Sequence, residues 1–215
     1  MIKRYYLALA TVVALITQPT VASYSPPRPL WSILICTLDE RKAQFEQLRA
    51  TLQKQIDDAE LTGFIEICSI SDSRQMPTGT KRNLLLEQSK GKYICFIDDD
   101  DEVHPRYVEM IFEKLLKNPD CVSLVGIVTV DGLHPKLFMH SIKYSDYYDG
   151  DPIFLRPPNH LNPIRRSIAI KFPFPNFYIG EDFTWAREIS KSGLLRKEET
   201  IKVPYYFYRY RSKKR

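Results

Sequence analysis

A chain of 215 residues is long enough for one domain with a substantial core and short for two. Hydrophobic residues at 44% and charged residues at 27% are ordinary globular proportions. The net charge of +5, to which Lys3 and Arg4 contribute, is too small for a nucleic-acid footprint, so no nucleic-acid partner is expected, although RSKKR makes a basic C-terminus.

The chain opens with MIKRYY, a short basic segment, then LALATVVALI, an apolar one, then TVAS, small residues compatible with cleavage. This is the layout of a secretory signal. The apolar stretch is shorter than the roughly 20 residues of a bilayer span, so an uncleaved anchor requires Tyr5 to Ala22 all to insert. Residues 1–23 are expected to be a signal peptide or signal anchor, with an ordinary N-terminal helix as the alternative. Residues 24–30, with SPPRP, read as a stiff linker, and residues 31–211 as the folded domain. Lys3 and Arg4 ahead of the apolar run favour a translocated domain, in a secretory-pathway lumen or anchored to a membrane.

Trp31 to Thr37 is a continuous apolar run, as in a strand covered on both faces. Phe45, Leu48, Leu52, Ile56 and Ala59 then repeat at helical spacing over Arg41 to Ala59, and Gly63 ends that segment. Phe64 to Ile70 reads as the second strand, SDSRQMPTGT as a loop, Lys81 to Ser89 as a helix, and Lys92 to Ile97 as the third strand. Pro105 suits the first turn of a helix running through Tyr107, Ile111 and Leu115 to Asn118-Pro119. Two apolar segments flank Asp131-Gly132, a hairpin signal. A Tyr-rich loop leads to a helix over Asp182 to Ser192 capped by Gly193, and Val203 to Arg211 alternates like a last strand.

Strand and helix in alternation predict an α/β domain with a mainly parallel sheet, in which ligands bind beyond the carboxyl ends of the strands. Three such ends are polar: Thr37-Leu38-Asp39, Ser71-Asp72 and the run Asp98 to Asp101. The four cysteines, Cys36, Cys68, Cys95 and Cys121, lie inside apolar runs without metal spacing and read as buried thiols. That usage sits awkwardly with an oxidising compartment.

Asp98 to Asp101 begin inside an apolar strand. A solvated acidic helix N-terminus accounts for Asp101 and Glu102, but not for charges that start within the strand. A hard divalent cation, Mg²⁺ or Mn²⁺, bridging carboxylates to a diphosphate accounts for all of them.

The stretch GTKRNLLLEQSKGKYICFIDDDD resembles the core signature of family-2 glycosyltransferases of the GT-A fold, with Gly79, Lys81, Arg82, Asn83, Gly91, Tyr93 and the DXD aspartates in register. GEDFTWA, Gly180 to Ala186, resembles the family's Glu-Asp-x-x-Trp segment. The resemblance implies a Rossmann-like, mainly parallel central sheet flanked by helices, with a small C-terminal acceptor-side region. It also implies a metal-dependent inverting transfer of a hexosyl-type sugar from a nucleotide diphosphate sugar, UDP-linked for preference, to a hydroxyl acceptor, glycan or lipid-linked. In that frame Asp100 and Asp98 hold the metal. Asp98 and Asp99 also meet its water shell or the ribose, while Thr37, Asp39, Glu40 and Asp72 surround the base. Arg82 and Lys81 approach the diphosphate, although Arg82 and Asn83 also suit a helix N-terminus that stabilises its own loop. Asp182 is the general base and Glu181 positions hydroxyls, with simple helix capping as the alternative. Trp185 either stacks on a sugar or belongs to the core. His160 is an acceptor-side or structural residue, and Arg209 and Arg211 are further candidates for the diphosphate. No histidine occurs late in the chain to complete a metal shell. A non-catalytic GT-A-like binding module and a sugar nucleotidyltransferase are the rival readings. The second lacks its expected glycine-rich loop in CTLDERK.

Overall fold

The computed structural model describes residues 28–211. The expected signal segment, residues 1–23, and most of the expected linker lie outside the described residues. Among the described residues no helix is long and apolar enough to cross a membrane.

Strand β1 (Trp31–Leu38) leads through a 3-10 turn over Asp39–Arg41 into helix α1 (Lys42–Asp58), β2 (Ile65–Asp72), α2 (Thr78–Gln88) and β3 (Tyr93–Phe96). A two-residue β4 (Glu102–Val103) precedes α3 (Tyr107–Leu115), β5 (Cys121–Val122), β6 (Leu124–Val130) and β7 (Leu133–His140). After β8 (Tyr148–Asp149), β9 (Ile153–Arg156), β10 (Ile164–Arg165) and the short α4 (Arg166–Ala169) come α5 (Glu181–Lys191), β11 (Glu198–Glu199) and β12 (Tyr206–Tyr210).

Two sheets result. The first has the order β11-β5-β10-β3-β1-β2. In it β1 lies parallel to both β2 and β3, in a register that aligns Leu38 with Asp72 and Leu34 with Phe96. Strand β10 is antiparallel to its neighbours. The second sheet, β4-β12-β6-β7-β9-β8, is mixed and is built around the Asp131-Gly132 hairpin. Both turn residues have positive φ, at 50° and 78°, as a tight hairpin turn requires.

The alternation of β1 and β3 divides the core. Ile33, Ile35 and Cys95 face a cluster that includes Leu48, Leu52 and Ile56 of α1 and Ile111 of α3. Leu34, Ile94 and Phe96 face Leu85 of α2 and Trp185 and Ile189 of α5. A central strand covered by helices on both faces has no polar side to show, which is why WSILICTL reads as an unbroken apolar run. All four cysteines are free thiols, with Cys95 and Cys121 fully buried. The α2 helix starts at Thr78, three residues ahead of the sequence expectation. Its first turn docks on the loop before α5, where the Gly79 N–H donates to Phe177 O at 3.0 Å. A Cβ on Gly79 would fall 1.9 Å from Pro175 O, so glycine is needed for that approach.

Candidate active site

The carboxyl ends of β1, β2 and β3 open on one side, and the four aspartates after β3 fan out, with Asp99 and Asp100 sharing one partner. Asp98 accepts from Arg82 Nη2 at 3.1 Å and faces His160 Nε2 at 3.6 Å. Asp99 is buried, accepting from Thr37 Oγ1 at 2.7 Å and from Arg41 Nη1 at 2.8 Å. Asp100 shares the same Arg41 nitrogen at 3.1 Å. Asp101 turns inward, accepting from the Tyr206 hydroxyl at 2.7 Å and the Arg209 N–H at 3.1 Å. The like charges are thus compensated by two guanidiniums and by donors from β12.

These partners set the acidities. Burial opposes ionisation of Asp98, but Arg82 and His160 outweigh it and hold the carboxyl well below the usual carboxylate range. Burial raises Asp100, and Asp98 and Asp99 add to the effect against the pull of Arg41. Burial, with Asp98 and Asp100 beside it, lifts Asp101 well above the usual range. Cys36, in the wall of the same site, has its thiol pushed up to about 12 by burial and is inert at neutral pH.

Two cavities meet here. The larger, about 770 Å³, is lined by Thr37, Arg41, Lys81 and Asp98, Asp99 and Asp100, with Tyr178, Ile179, Arg209 and Arg211 at its rim. The smaller, about 240 Å³, contains Asp182, His160, Tyr147, Phe154 and Arg156. Asp98 and Tyr208 line both and form the wall between them. His160 spans that wall from within. It is buried, with Nε2 toward Asp98 and Nδ1 3.5 Å from Asp182 Oδ2, and neither nitrogen has a hydrogen-bond partner at these separations. His140, nearby, donates its Nδ1–H to Asn162 Oδ1 at 3.1 Å, and burial drives its basicity down to about 3.

Other predicted site residues have different work. Asp72 does not line the larger cavity: it is buried against Lys81 Nζ at 2.6 Å and the Met76 N–H at 2.7 Å. Asp39 and Glu40 are likewise not among that cavity's lining residues and fasten the loop after β2. Asp39 accepts from the hydroxyls of Ser71 and Ser73, and Glu40 pairs with Arg74. Arg82 sits behind the aspartates, buried, joining Asp98 to Glu181 Oε1 at 3.0 Å and lying over the Phe96 ring. Glu181 is buried in that ion pair, and only Asp182 of the Glu-Asp pair reaches a cavity. Trp185 is a core residue: it is fully buried, stacked on Phe174 at 4.5 Å, and donates to Phe172 O at 2.7 Å, so no face is open to a sugar. Asn83 ties α2 to the same loop through a reciprocal pair with Phe174, at 2.9 and 2.8 Å.

Sequence reasoning missed Arg41, Tyr206 and Tyr208. Arg41 was legible only as a helix start, although a cation just after a strand that faces acidic residues is a usable signal. The two tyrosines lie over 100 residues from the aspartates and carried none.

Among the described residues no group of three or more His, Cys, Asp and Glu is assembled as a metal cluster. Mg²⁺ and Mn²⁺ do not require one, since they take one or two carboxylates and complete their shell with water and substrate phosphate. Asp98 and Asp100, with side chains 34% and 26% exposed on the larger cavity, are oxygen donors that fit this demand.

The family model described as "Glycosyl transferase family 2" matches residues 70–177, half of the chain, including the aspartates and ending just before Glu181. Among solved structures, S. aureus TarS 1-349 in complex with UDP superposes with a TM-score of 0.58 at 13% identity, over 83% of this chain and 60% of that one. TarS 1-349 in complex with UDP-GlcNAc gives a TM-score of 0.55 at 12% identity, over 86% and 59%. At such identities the likeness is one of fold, and this chain spans about 60% of the length of those structures. On the family match, this chain belongs to glycosyl transferase family 2.

Proposed function

We propose that the chain catalyses metal-dependent, inverting transfer of a sugar from a UDP-sugar to a hydroxyl group of a glycan or lipid-linked glycan. The observation that carries this reading is the shared wall: aspartates and cations line the larger cavity, and a further carboxylate, Asp182, stands in the smaller one across Asp98 and Tyr208. A donor diphosphate suits the first, among Arg41, Lys81, Arg209 and Arg211. The UDP and UDP-GlcNAc complexes of the structurally similar TarS favour a uridine nucleotide.

In this reading Asp100 and Asp98 hold Mg²⁺ or Mn²⁺, which when bound neutralises charge on the departing diphosphate as a Lewis acid. Thr37 and Arg41 fix Asp99 and Asp100 in place before substrate arrives. Arg82 fixes Asp98 and, through Glu181, the first turn of α5, which carries Asp182. Asp182 takes the proton from the acceptor hydroxyl as its oxygen attacks the anomeric carbon from the side opposite the leaving group.

The test is turnover over a panel of UDP-, GDP- and CMP-sugars, with Asp182→Asn alongside. The variant is expected to bind UDP as the wild type does and to lose at least about 10²-fold in kcat. Donor binding without turnover in the wild type would leave a binding module. Undiminished turnover in the variant would move the base elsewhere.

A further inference from the structure

At the opposite end of the first sheet lies a groove of about 900 Å³ that the reaction does not use. Its lining carries five cations, Arg28, Lys90, Lys92, Arg165 and Arg166, and no carboxylate. Only Arg165 has an acidic partner among the described residues, Asp120 at 3.3 Å. Arg166 is held by the neutral oxygens of Ser89, Leu86 and Glu87 and keeps its charge uncompensated. Between the cations stand Leu61, Phe64, Phe112 and Leu116, of which Phe64 is 48% and Leu116 66% exposed. Phe64 meets Phe112 edge-on at 6.1 Å, so the apolar centre is a built surface and not a pair of stray side chains.

We propose that this groove docks the folded domain on an anionic lipid surface. Apolar side chains ringed by lysine and arginine are the two components of interfacial binding: the first enters the acyl boundary and the second pairs with anionic headgroups. The position of the chain agrees. Arg28, where the described structure begins, lies in this groove, and the residues before it include the apolar run LALATVVALI. The other basic segment, RSKKR, leaves at Arg211 beside the larger cavity, at the far end of β1. Eight residues of strand at roughly 3.3 Å each separate the two ends by about 25 Å, so the groove and the tail can be altered independently. Docking through the groove turns the two catalytic cavities away from the lipid.

The full-length chain, titrated with vesicles of phosphatidylcholine alone and of phosphatidylcholine with phosphatidylglycerol, decides this by flotation. The wild type is expected to bind the anionic vesicles more tightly, with a preference that falls as salt is raised. Lys90→Gln with Lys92→Gln, both exposed, should reduce that preference about 30-fold, at about fivefold per charge. Lys213→Gln with Lys214→Gln should leave it intact, and matching circular dichroism would establish that the variants are folded. Equal wild-type binding to both vesicles overturns the proposal. So does a preference that survives the Lys90/Lys92 change or vanishes with the tail change.

Discussion

The first sheet meets the active site with charges that are already paired; the second meets it with rings. On the β1–β3 side Thr37, Arg41, Lys81 and Arg82 each hold a carboxylate in a fixed place. On the β6–β9 side the smaller cavity is walled by Val128, Phe138, Phe154 and Tyr147, and its cation, Arg156, lies over Tyr147 at 4.6 Å and pairs with Asp149. Rigid paired charges suit a ligand whose own charges are constant, as a diphosphate's are. Aromatic walls suit a neutral, ring-shaped partner held mainly by contact area. In the proposed reaction the contrast would separate a donor side of paired charges from an acceptor side of rings.

Arg82 offers the largest break in that order after Asp182. It is buried, and its removal leaves Glu181 without a counter-charge in the core, so Arg82→Met should cost about 3–5 kcal/mol in urea unfolding. The pH dependence has a definite sign. Asp98 is held below its unfolded value of about 3.9, so its contribution is complete above that pH and is lost as pH falls through the folded value. The gap between wild type and variant should accordingly narrow below about pH 4. A gap that stays constant to pH 3 would mean that Arg82 acts through packing on Phe96 and Phe174 and not through its ion pairs.

How much of this could be read in advance follows the same division. The first three strands and the helices between them announce themselves because a covered parallel sheet needs long apolar runs, and the Asp131-Gly132 turn announced the hairpin. The short pairings at β4, β5, β8, β10 and β11 did not, since two-residue strands owe their state to neighbours far away in the chain. At the site, it was legible that Asp98 to Asp100 and Asp182 would stand at a cleft. What each carboxylate touches was not. Asp72, Asp39 and Glu40 read as ligands for a base, and that each also holds local structure was not visible, because a carboxylate after a strand has the same sequence signature whether its partner is substrate or a neighbouring lysine.

Strand β12 is where the two sides join, and it carries the intermediate effect. The Tyr206 hydroxyl donates to Asp101 and accepts from the Asp98 N–H at 3.3 Å, so a residue of the second sheet holds the acidic loop of the first. Tyr206→Phe keeps the ring in its buried place but strips a buried carboxyl of its hydroxyl donor, at a cost of about 1–3 kcal/mol. If the loop depends on β12 as drawn, UDP affinity should weaken along with stability. Lost stability with unchanged UDP affinity would confine Tyr206 to the core.

Tyr208, two residues on, points to the same side of the strand but is 38% exposed and lines both cavities. Burial and the aspartates nearby push its hydroxyl up to about 12, so at neutral pH it is a neutral group that can only donate or accept a hydrogen bond. Tyr208→Phe retains the wall and removes one such bond, worth about 0.5–1.5 kcal/mol, which is about 2- to 12-fold in an equilibrium constant. Because the residue belongs to both sides, the change should appear in UDP affinity and in acceptor KM together, with melting temperature unmoved. An effect on acceptor KM alone would place the boundary between the charged and the aromatic side at Asp98, and make Tyr208 part of the aromatic lining.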